Sequence, residues 1–560
     1  MSKFYIIQMK NFLSILFVFL SILRNDLQAQ KPTSKKEIHK QPKLVVGIIV
    51  DQMRYDYIFR YWDKWTTGGF KRLLEKGFFC KNTNYNYVPT YTGPGHASVF
   101  TGSYPAVHGI IANEWYDKST GRIKYCTEDE NVESVGTTNN SGKMSPKNML
   151  VTTIGDELKL NSLQKSKVIA VSLKDRASIL PAGHSANAAY WFDGKTGNFI
   201  SSTHYIDKLP EWLTAFNNQK NAEAYLKKGW KTLLPDSLYF ESTKDNQEYE
   251  LSPNGKEKPI FPYDYSKQLN EKNYEIIRAT PHGNSITKDI AIAALKGEQL
   301  GKGKATDMLC VSFSSTDYIG HSFGPKSIEI EDTYLRLDKD LQEFFTFLDS
   351  YVGNGNYLLF LTADHGAAEV PLYLKQNKIP SGLVDENKIE LNLKAHLFSL
   401  YGDSLVLNCS NQQVFLNHSK IIEKKLSLAS IQQEVADFLI TQDGVSQTYT
   451  SETLKKESFS KNNFKELLQN GFHFKRSGDV LFRYPVAYFD AIVKKGTTHG
   501  AEFSYDTHVP LFFMGYGIKN GSSVDAIDIT DIAPTISMLL NIPYPNGCIG
   551  KPINCLFDEK

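Results

Sequence analysis

The feature that most constrains this chain is a set of short, continuous apolar segments rich in β-branched residues. Continuous apolarity over about four to eight residues is typical of strands that are covered on both faces, as in a parallel sheet. The predicted strands are Leu44–Val50, Val168–Leu173, Met308–Phe313, Tyr357–Leu361 and Pro510–Met514.

Amphipathic segments lie between these strands. The predicted helices include Phe70–Lys76, Met149–Leu160, Ile286–Leu295 and Leu335–Tyr351. Strand–helix alternation predicts an α/β fold with a central, mostly parallel sheet flanked by helices. We expect one catalytic domain over residues 30–560, and we interpret the Asn-, Lys- and Tyr-rich segments at about 185–285 and 370–490 as cap-type insertions into it.

Ionisable residues follow four of the predicted strands. In open α/β sheets, ligands bind at the carboxyl ends of the strands, so we expect these side chains to form one site. In chain order they are Asp51, Lys174 with Arg176, Asp317 with His321, and Asp364 with His365.

Several of these side chains, together with His499, are candidate metal ligands. His499 lies in the small-residue loop Gly496–Gly500, which would let the backbone approach a ligand closely. Mixed imidazole and carboxylate donors favour zinc, or a similar transition metal, over calcium or magnesium. The candidate ligands, sufficient for two zinc ions, are Asp51, Asp317, His321, Asp364, His365 and His499. We treat the other histidines as structural or solvated.

Residues 90–102 (TYTGPGHASVFTG) have the composition of a loop that enters a helix, with Thr92 at or just before the helix start. Free backbone N–H groups and the positive end of the helix dipole favour a bound anion at such a position. The alternative is that Thr92 is only an N-cap residue, as Thr commonly is.

Taken in order, these motifs resemble the alkaline phosphatase superfamily. The closest resemblance is to the phosphate-irrepressible, PafA-type alkaline phosphatases, which use Thr rather than Ser as nucleophile. It covers the chain from about Lys43 to the C-terminus. The motifs that carry it are Asp51, the Thr92 loop, Tyr104–Asn113, Asp317-x3-His321, Ala363–Gly366, the Thr-His-Gly at His499 and Thr530–Thr535.

The resemblance implies two zinc ions per chain and a phosphothreonine intermediate on Thr92, which releases inorganic phosphate when it is hydrolysed. It also implies that Asn113, Lys174 and Arg176 bind the substrate. The implied ligand sets are Asp317, His321 and His499 for one zinc, and Asp51, Asp364, His365 and the Thr92 oxygen for the other.

Lys174 and Arg176 are the residues that favour a substrate class. Residues two apart on an extended segment point the same way, so both cations could converge on one phosphoryl group. Two cations suit the dianionic head of a phosphate monoester, whereas a diester carries one charge and a second bulky group. We therefore predict an alkaline phosphatase of broad specificity that acts on small-molecule phosphate monoesters.

Other readings remain open. A nucleotide pyrophosphatase/phosphodiesterase of the same superfamily shares the Thr loop, Asn113 and the metal ligands, and a phosphonate hydrolase has no feature in its favour. A non-enzymatic alternative is an exported zinc-binding protein without catalysis. Gly320–Gly324 also satisfies the G-x-S-x-G pattern of serine hydrolases, but Ser322 follows a polar loop rather than a sharp strand-to-helix turn.

The N-terminus predicts export to the periplasm or secretion. Lys3 and Lys10 give the chain a positively charged start, and they precede an apolar segment, Phe12–Leu23, that is too short to span a bilayer. Cleavage is expected after Ala29. Residues 1–29 would thus be a signal peptide, leaving no stable membrane anchor. The chain has 63 Lys+Arg and 61 Asp+Glu, a balance that disfavours nucleic-acid binding, and we predict no protein partner. Cys548 and Cys555 are the best-placed pair for a disulfide.

Overall fold

The fold is built around a ten-stranded mixed sheet, described by a computed structural model over residues 41–252, 255–460 and 463–557. In chain order the strands are β1 (Leu44–Val50), β2 (Phe78–Asn84), β3 (Glu114–Asp117), β4 (Arg122–Tyr125), β5 (Ser134–Val135), β6 (Val168–Ser172), β7 (Ala188–Asp193), β8 (Asn198–Ser202), β9 (Asp307–Phe313), β10 (Tyr357–Thr362), β11 (Gly382–Val384), β12 (Val406–Ser410), β13 (Gln413–Leu416), β14 (Gln447–Thr450), β15 (Val480–Arg483), β16 (Tyr488–Asp490), β17 (His508–Gly515) and β18 (Gly521–Asp528).

Helices cover the sheet and connect its strands. They are α1 (Tyr57–Arg60), α2 (Phe70–Lys76), α3 (Thr92–Thr101), α4 (Pro105–His108), α5 (Ile154–Asn161), α6 (Asp175–Ala182), α7 (Glu211–Asn218), α8 (Asn221–Leu226), α9 (Ser266–Asn270), α10 (His282–Gly297), α11 (Ser315–Phe323), α12 (Ile328–Leu348), α13 (Pro371–Gln376), α14 (Glu386–Tyr401), α15 (His418–Glu423), α16 (Leu428–Leu439), α17 (Ser451–Lys456), α18 (Phe464–Gly471), α19 (Ser504–Thr507) and α20 (Ile532–Leu540). None of these described helices is both long and apolar enough to cross a bilayer.

The sheet order is β18-β2-β17-β10-β1-β9-β6-β7-β8-β5. Its centre, β10-β1-β9-β6-β7, is parallel throughout, and every residue of β1 is buried. The predicted α/β fold with a mostly parallel sheet is therefore confirmed. β17 is the exception among the predicted strands, because it runs antiparallel to both β10 and β2. An apolar segment buried on both faces carries no information about strand direction.

Two helices begin at residues other than the predicted ones, because a side-chain N-cap determines where each helix starts. The predicted helix Met149–Leu160 begins only at Ile154, because Thr153 and Asp156 form a reciprocal capping box. The predicted helix Leu335–Tyr351 begins earlier, at Ile328, where the Ser327 side chain accepts a hydrogen bond from the Ile330 amide at 3.2 Å.

The two segments predicted as insertions contain different structures. The first segment begins with two strands, β7 and β8, that belong to the ten-stranded sheet. The second contains a separate four-stranded sheet, β12-β13-β15-β14, with its own cluster of buried side chains that includes Leu393, Val414 and Phe482. The predicted signal peptide, residues 1–29, lies outside the described residues.

Candidate metal and substrate site

The carboxyl ends of adjacent strands deliver the predicted site residues to one place. Asp364 follows β10, Asp51 follows β1, and Lys174 comes shortly after β6. Asp317 lies in α11, the helix after β9. Lys174 Nζ lies 2.7 Å from Asp51 Oδ2 and 2.6 Å from Asp317 Oδ2, so side chains from three neighbouring strand ends meet at one ammonium group.

One cluster of possible metal ligands consists of Asp51, Asp364 and His365. A donor atom of each lies within 4.8 Å of the other two, and all three residues are buried. His365 Nε2 is 3.6 Å from Asp51 Oδ1, which is too long for a hydrogen bond, and neither atom has a hydrogen-bond partner among the described residues. Buried polar atoms without partners are costly, and a cation between them would satisfy both.

A second cluster consists of Asp317, His365 and His499, whose donor atoms also lie within 4.8 Å of one another. The His365 and His499 rings stack with their centroids 3.4 Å apart, so His365 lies where the two clusters meet. His321, which the resemblance grouped with Asp317 and His499, places its Nε2 3.1 Å from Asp317 Oδ1.

The three histidines of the site are oriented in the same way. The Nδ1 atom of each lies within hydrogen-bond distance of a backbone carbonyl: Thr497 at 2.8 Å for His321, Gly366 at 2.9 Å for His365, and Thr90 at 2.7 Å for His499. A carbonyl can only accept, so Nδ1 carries the proton and Nε2 keeps its lone pair for a metal. Metal-binding histidines usually have their other ring nitrogen hydrogen-bonded in this way, which fixes the orientation of the ring.

The buried charges of the site do not balance. The site holds three buried carboxyl groups, those of Asp51, Asp317 and Asp364, and a single buried ammonium group, that of Lys174, which contacts Asp51 and Asp317. Burial and the negative charge of Asp364 hold the pKa of Asp51 well above its ordinary value. Burial opposes the charge of Lys174, but Asp317 and Asp51 outweigh it and raise the pKa of the ammonium. The excess negative charge and the mixed donor set fit divalent metal ions.

Thr92 is the first residue of α3 and is 1% exposed. The N-cap position belongs to Tyr91, and no side chain caps this helix, so Thr92 is not a capping residue. Thr92 Oγ1 lies 3.5 Å from Lys174 Nζ, which places the hydroxyl beside the metal-ligand clusters. A Cβ atom at Gly95 would lie 2.5 Å from the Asp364 carbonyl oxygen, so glycine permits this close packing of α3.

Asn113 is anchored to the start of α3. Its Oδ1 accepts a hydrogen bond of 2.7 Å from the Gly93 amide, the residue after Thr92. Because Oδ1 is used in this way, Nδ2 is the atom that could donate to a substrate oxygen next to Thr92.

Lys174 and Arg176 do not lie on an extended segment. Lys174 has extended dihedral angles, but α6 begins at Asp175, so Arg176 lies in the first turn of a helix. Arg176 Nη1 donates to the Tyr125 hydroxyl at 2.9 Å, whereas Lys174 contacts the carboxylates. The two cations nevertheless line the same cavity, of about 270 Å³. The expected geometry was wrong because the alternation of side chains in a strand does not continue into a helix.

Gln52 is a site residue that the sequence did not reveal. Its backbone N–H donates to Asp364 Oδ1 at 3.1 Å, and its side-chain Nε2 donates to Asp317 Oδ1 at 2.6 Å. Gln52 therefore connects the two clusters. Gln52 has a φ of 61°, in the left-handed region. A Cβ atom at Gly320 would collide with the Gln52 side chain, which explains the glycine in α11.

His96, which we expected to be structural, contacts the site from α3. Its Nδ1 lies 2.9 Å from the Thr92 carbonyl and 3.3 Å from Asp364 Oδ2, and its Nε2 lies 2.9 Å from Ser312 Oγ. It therefore connects α3 to the candidate metal ligand Asp364. The Pro-Gly-His sequence after Thr92 is the one signal that could have indicated this role.

Two other sequence features do not contribute chemistry here. Ser322 of the G-x-S-x-G match lies within α11, and its hydroxyl donates to the Tyr318 carbonyl at 2.9 Å, so it is not a nucleophile elbow. Cys548 and Cys555 are both free thiols, so the expected disulfide is absent from this structure.

Known proteins and a family model match most of this chain. A model of the type I phosphodiesterase / nucleotide pyrophosphatase family matches residues 45–504. Alkaline phosphatase PafA of Elizabethkingia meningoseptica is 48% identical over 92% of this chain and 94% of its own length. Alkaline phosphatase PhoV of Synechococcus elongatus is 45% identical over 97% of this chain and 98% of its own.

The crystal structure of wild-type PafA matches this fold with a TM-score of 0.90 at 46% identity, covering 92% of this chain and 99% of that one. The chain belongs to the type I phosphodiesterase / nucleotide pyrophosphatase family of the alkaline phosphatase superfamily. Within that family it is a homologue of the alkaline phosphatase PafA, and it is an enzyme. The resemblance carried by the sequence motifs is thereby confirmed.

Proposed function

We propose that this chain is a zinc-dependent alkaline phosphatase of broad specificity, which hydrolyses phosphate monoesters through a phosphothreonine intermediate. The position of Lys174 carries the proposal. Its ammonium contacts a carboxylate of each ligand cluster and lies 3.5 Å from Thr92 Oγ1, so a cation, a hydroxyl and the metal ligands converge on one point.

Zinc fits the donor set best. The ligands would be Asp317, His321 and His499 for one ion, and Asp51, Asp364, His365 and the Thr92 oxygen for the other, with His365 at their boundary. A donor set with as many imidazoles as carboxylates suits zinc better than magnesium or calcium, which prefer oxygen ligands alone. When bound, two zinc ions would act as Lewis acids toward the phosphoryl oxygens and favour the ionised Thr92 hydroxyl.

Thr92 is the residue that we assign to nucleophilic attack. Its oxygen would form a bond to phosphorus as the bond to the alcohol breaks, and water would then cleave the phosphothreonine and release inorganic phosphate. The buried start of α3 suits this role, because the positive end of the helix dipole favours a negatively charged group there.

Lys174, Arg176 and Asn113 support a monoester as substrate. Lys174 and Arg176 line one cavity, and Asn113 is bonded beside Thr92. A monoester dianion would place more charge against these cations than a diester, which carries one charge. The second candidate is a phosphodiesterase, which the matching family model favours by its description. The cationic pair is what favours the monoesterase.

The export signal predicted at residues 1–29 adds a location to the proposal. We place the mature enzyme in the periplasm or outside the cell, where it would act on small phosphate monoesters.

Thr92→Ala tests the proposed mechanism. We expect the turnover of an aryl phosphate to fall by several orders of magnitude while the metal content and melting temperature stay close to those of the parent. Thr92→Ser should retain a large part of the activity, and Thr101→Ala, at the buried far end of the same helix, serves as the control. Parent-like turnover by Thr92→Ala contradicts the mechanism.

A further inference from the structure

The cavity of about 270 Å³ beside the site is lined by two cations that the proposed mechanism does not use, Arg278 and the exposed Lys195, and Arg278 is the one that the fold holds in place. Besides Lys174 and Arg176, its lining includes Arg278, which lies between α9 and α10 in a segment far from the metal ligands in sequence. Arg278 also lines an adjoining open cavity of about 410 Å³ together with Tyr318. The guanidinium thus lies where the phosphoryl-binding cavity continues toward solvent.

Tyr318 connects Arg278 to the phosphoryl-binding cations. Tyr318 follows the ligand Asp317 in α11, with Lys174 Nζ 5.0 Å and the Arg278 guanidinium 6.0 Å from its ring centroid. Arg278 Nη1 donates to the Tyr318 hydroxyl at 3.2 Å, and Nη2 donates to the Phe192 carbonyl at 2.7 Å. These contacts hold the guanidinium in a fixed orientation one aromatic ring away from Lys174.

The acidic residues of the cavity leave Arg278 with one replaceable partner. Asp175 accepts from the Tyr125 hydroxyl at 2.6 Å, and Asp193 accepts from several surrounding hydroxyl and amide groups. Glu275 Oε1 lies 3.1 Å from Arg278 Nη1, and its side chain is 54% exposed while that of Arg278 is 17% exposed. A half-exposed carboxylate therefore pairs with a largely buried guanidinium whose orientation is fixed by Tyr318 and Phe192.

We propose that Arg278 forms a second anion-binding subsite, which favours monoesters whose leaving group carries another negative charge, such as a carboxylate or a second phosphate. The anion would replace Glu275 on the guanidinium fork, which matches carboxylate and phosphate geometry. This inference rests on the proposed function, and it makes Arg278 a specificity-determining residue rather than a catalytic one.

The test measures selectivity between matched substrates. The zinc-loaded full chain is given 3- and 4-carboxyphenyl phosphate and the corresponding carbamoylphenyl phosphates, and the ratio of kcat/KM for charged over neutral leaving groups is compared between variants. Intrinsic differences in leaving-group reactivity cancel in that comparison. Arg278→Gln should lower the ratio by about fivefold to tenfold, the range for losing one charge-assisted bond at a partly exposed site.

Glu275→Gln should raise this ratio, because it removes the carboxylate that competes with the substrate anion. Folding should be unaffected, because the Glu275 side chain is largely exposed. Arg72→Gln is the matched control, since Arg72 has 18% exposure and a carboxylate partner, Asp349, away from the site. The subsite is overturned if Arg278→Gln lowers kcat/KM equally for the charged and the neutral leaving groups. It is also overturned if the charged-to-neutral ratio of Glu275→Gln is identical to the parent's. If the parent hydrolyses none of the four compounds, the proposed function fails instead.

If Arg278→Gln does not fold, Glu275→Gln alone decides the question. High salt adds a further check, because screening should reduce the parent's preference for the charged leaving group and leave the neutral one almost unchanged.

Discussion

Lys174 Nζ lies 2.6 Å from Asp317 Oδ2, although the two residues follow different strands of the sheet. The same nitrogen is 2.7 Å from Asp51 Oδ2 in the other ligand cluster. Lys174, one of the proposed phosphoryl-binding cations, therefore contacts a carboxylate of each candidate ligand cluster. This single buried ammonium compensates part of a negative charge that metal ions would otherwise have to balance alone.

Replacing this ammonium should reduce monoester hydrolysis selectively. We expect Lys174→Met to lower kcat/KM for an aryl phosphate monoester by about 10- to 100-fold, the size of one or two charge-assisted hydrogen bonds, and to affect the matching diester less. Lys159→Met is the control, since Lys159 is also buried and hydrogen-bonded, to Asn187 at 3.0 Å. Equal losses on both esters would show that Lys174 does not discriminate between them.

Gly320→Ala should weaken metal binding although it replaces none of the proposed metal ligands. The added methyl group would collide with Gln52, whose Nε2 holds Asp317 Oδ1 at 2.6 Å. Loss of a hydrogen bond that orients a metal ligand lowers metal affinity or activity by about 10- to 100-fold. Zinc titration of the metal-free protein, followed by activity, measures the effect. Gly303→Ala, where a Cβ atom meets nothing closer than 4.0 Å, should leave both unchanged, and a parent-like Gly320→Ala would refute the role of Gln52.

Glu250 should make a contribution to the free energy of unfolding that falls as the pH rises toward about 8. This side chain is 1% exposed, and burial together with the nearby Asp245 raises its pKa to about 8. Between its ordinary pKa and about 8, the folded protein keeps a proton that the unfolded chain releases, so the free energy of unfolding decreases with rising pH.

Glu250→Gln removes this dependence. The melting temperature of the variant minus that of the parent should be more positive at about pH 9 than at about pH 5. The exposed Glu248→Gln, two residues earlier, should show no such trend. A difference that is constant with pH, or that becomes more negative, would rule out a protonated Glu250 in the folded state.

Much of the fold was predictable because burial on both faces leaves a clear sequence signal. β1 and α2 begin and end at the predicted residues, since apolar runs and turn residues mark their limits. The antiparallel direction of β17 was not predictable, because it depends on which neighbours the strand pairs with. The start of α5 was encoded locally, in the capping box of Thr153 and Asp156, which a search for apolar periodicity overlooks.

The site, like the fold, was only partly predictable from the sequence. Asp51, Asp364 and Lys174 were identifiable because polar residues directly after apolar strands indicate a ligand site. Gln52 follows Asp51 just as closely, but its role depends on a left-handed backbone and on the absence of a side chain at Gly320. Arg278 lies far from every motif, and only the folded chain brings it next to Tyr318.

The most direct measurement is kcat/KM of the zinc-loaded protein for an aryl phosphate monoester and for the matching diester, each with and without a chelator. The account predicts a monoester preference of orders of magnitude, lost on chelation and restored by zinc. A diester preference would contradict the role of Lys174 and Arg176, and undiminished turnover after verified removal of the metal would contradict the two-zinc site itself.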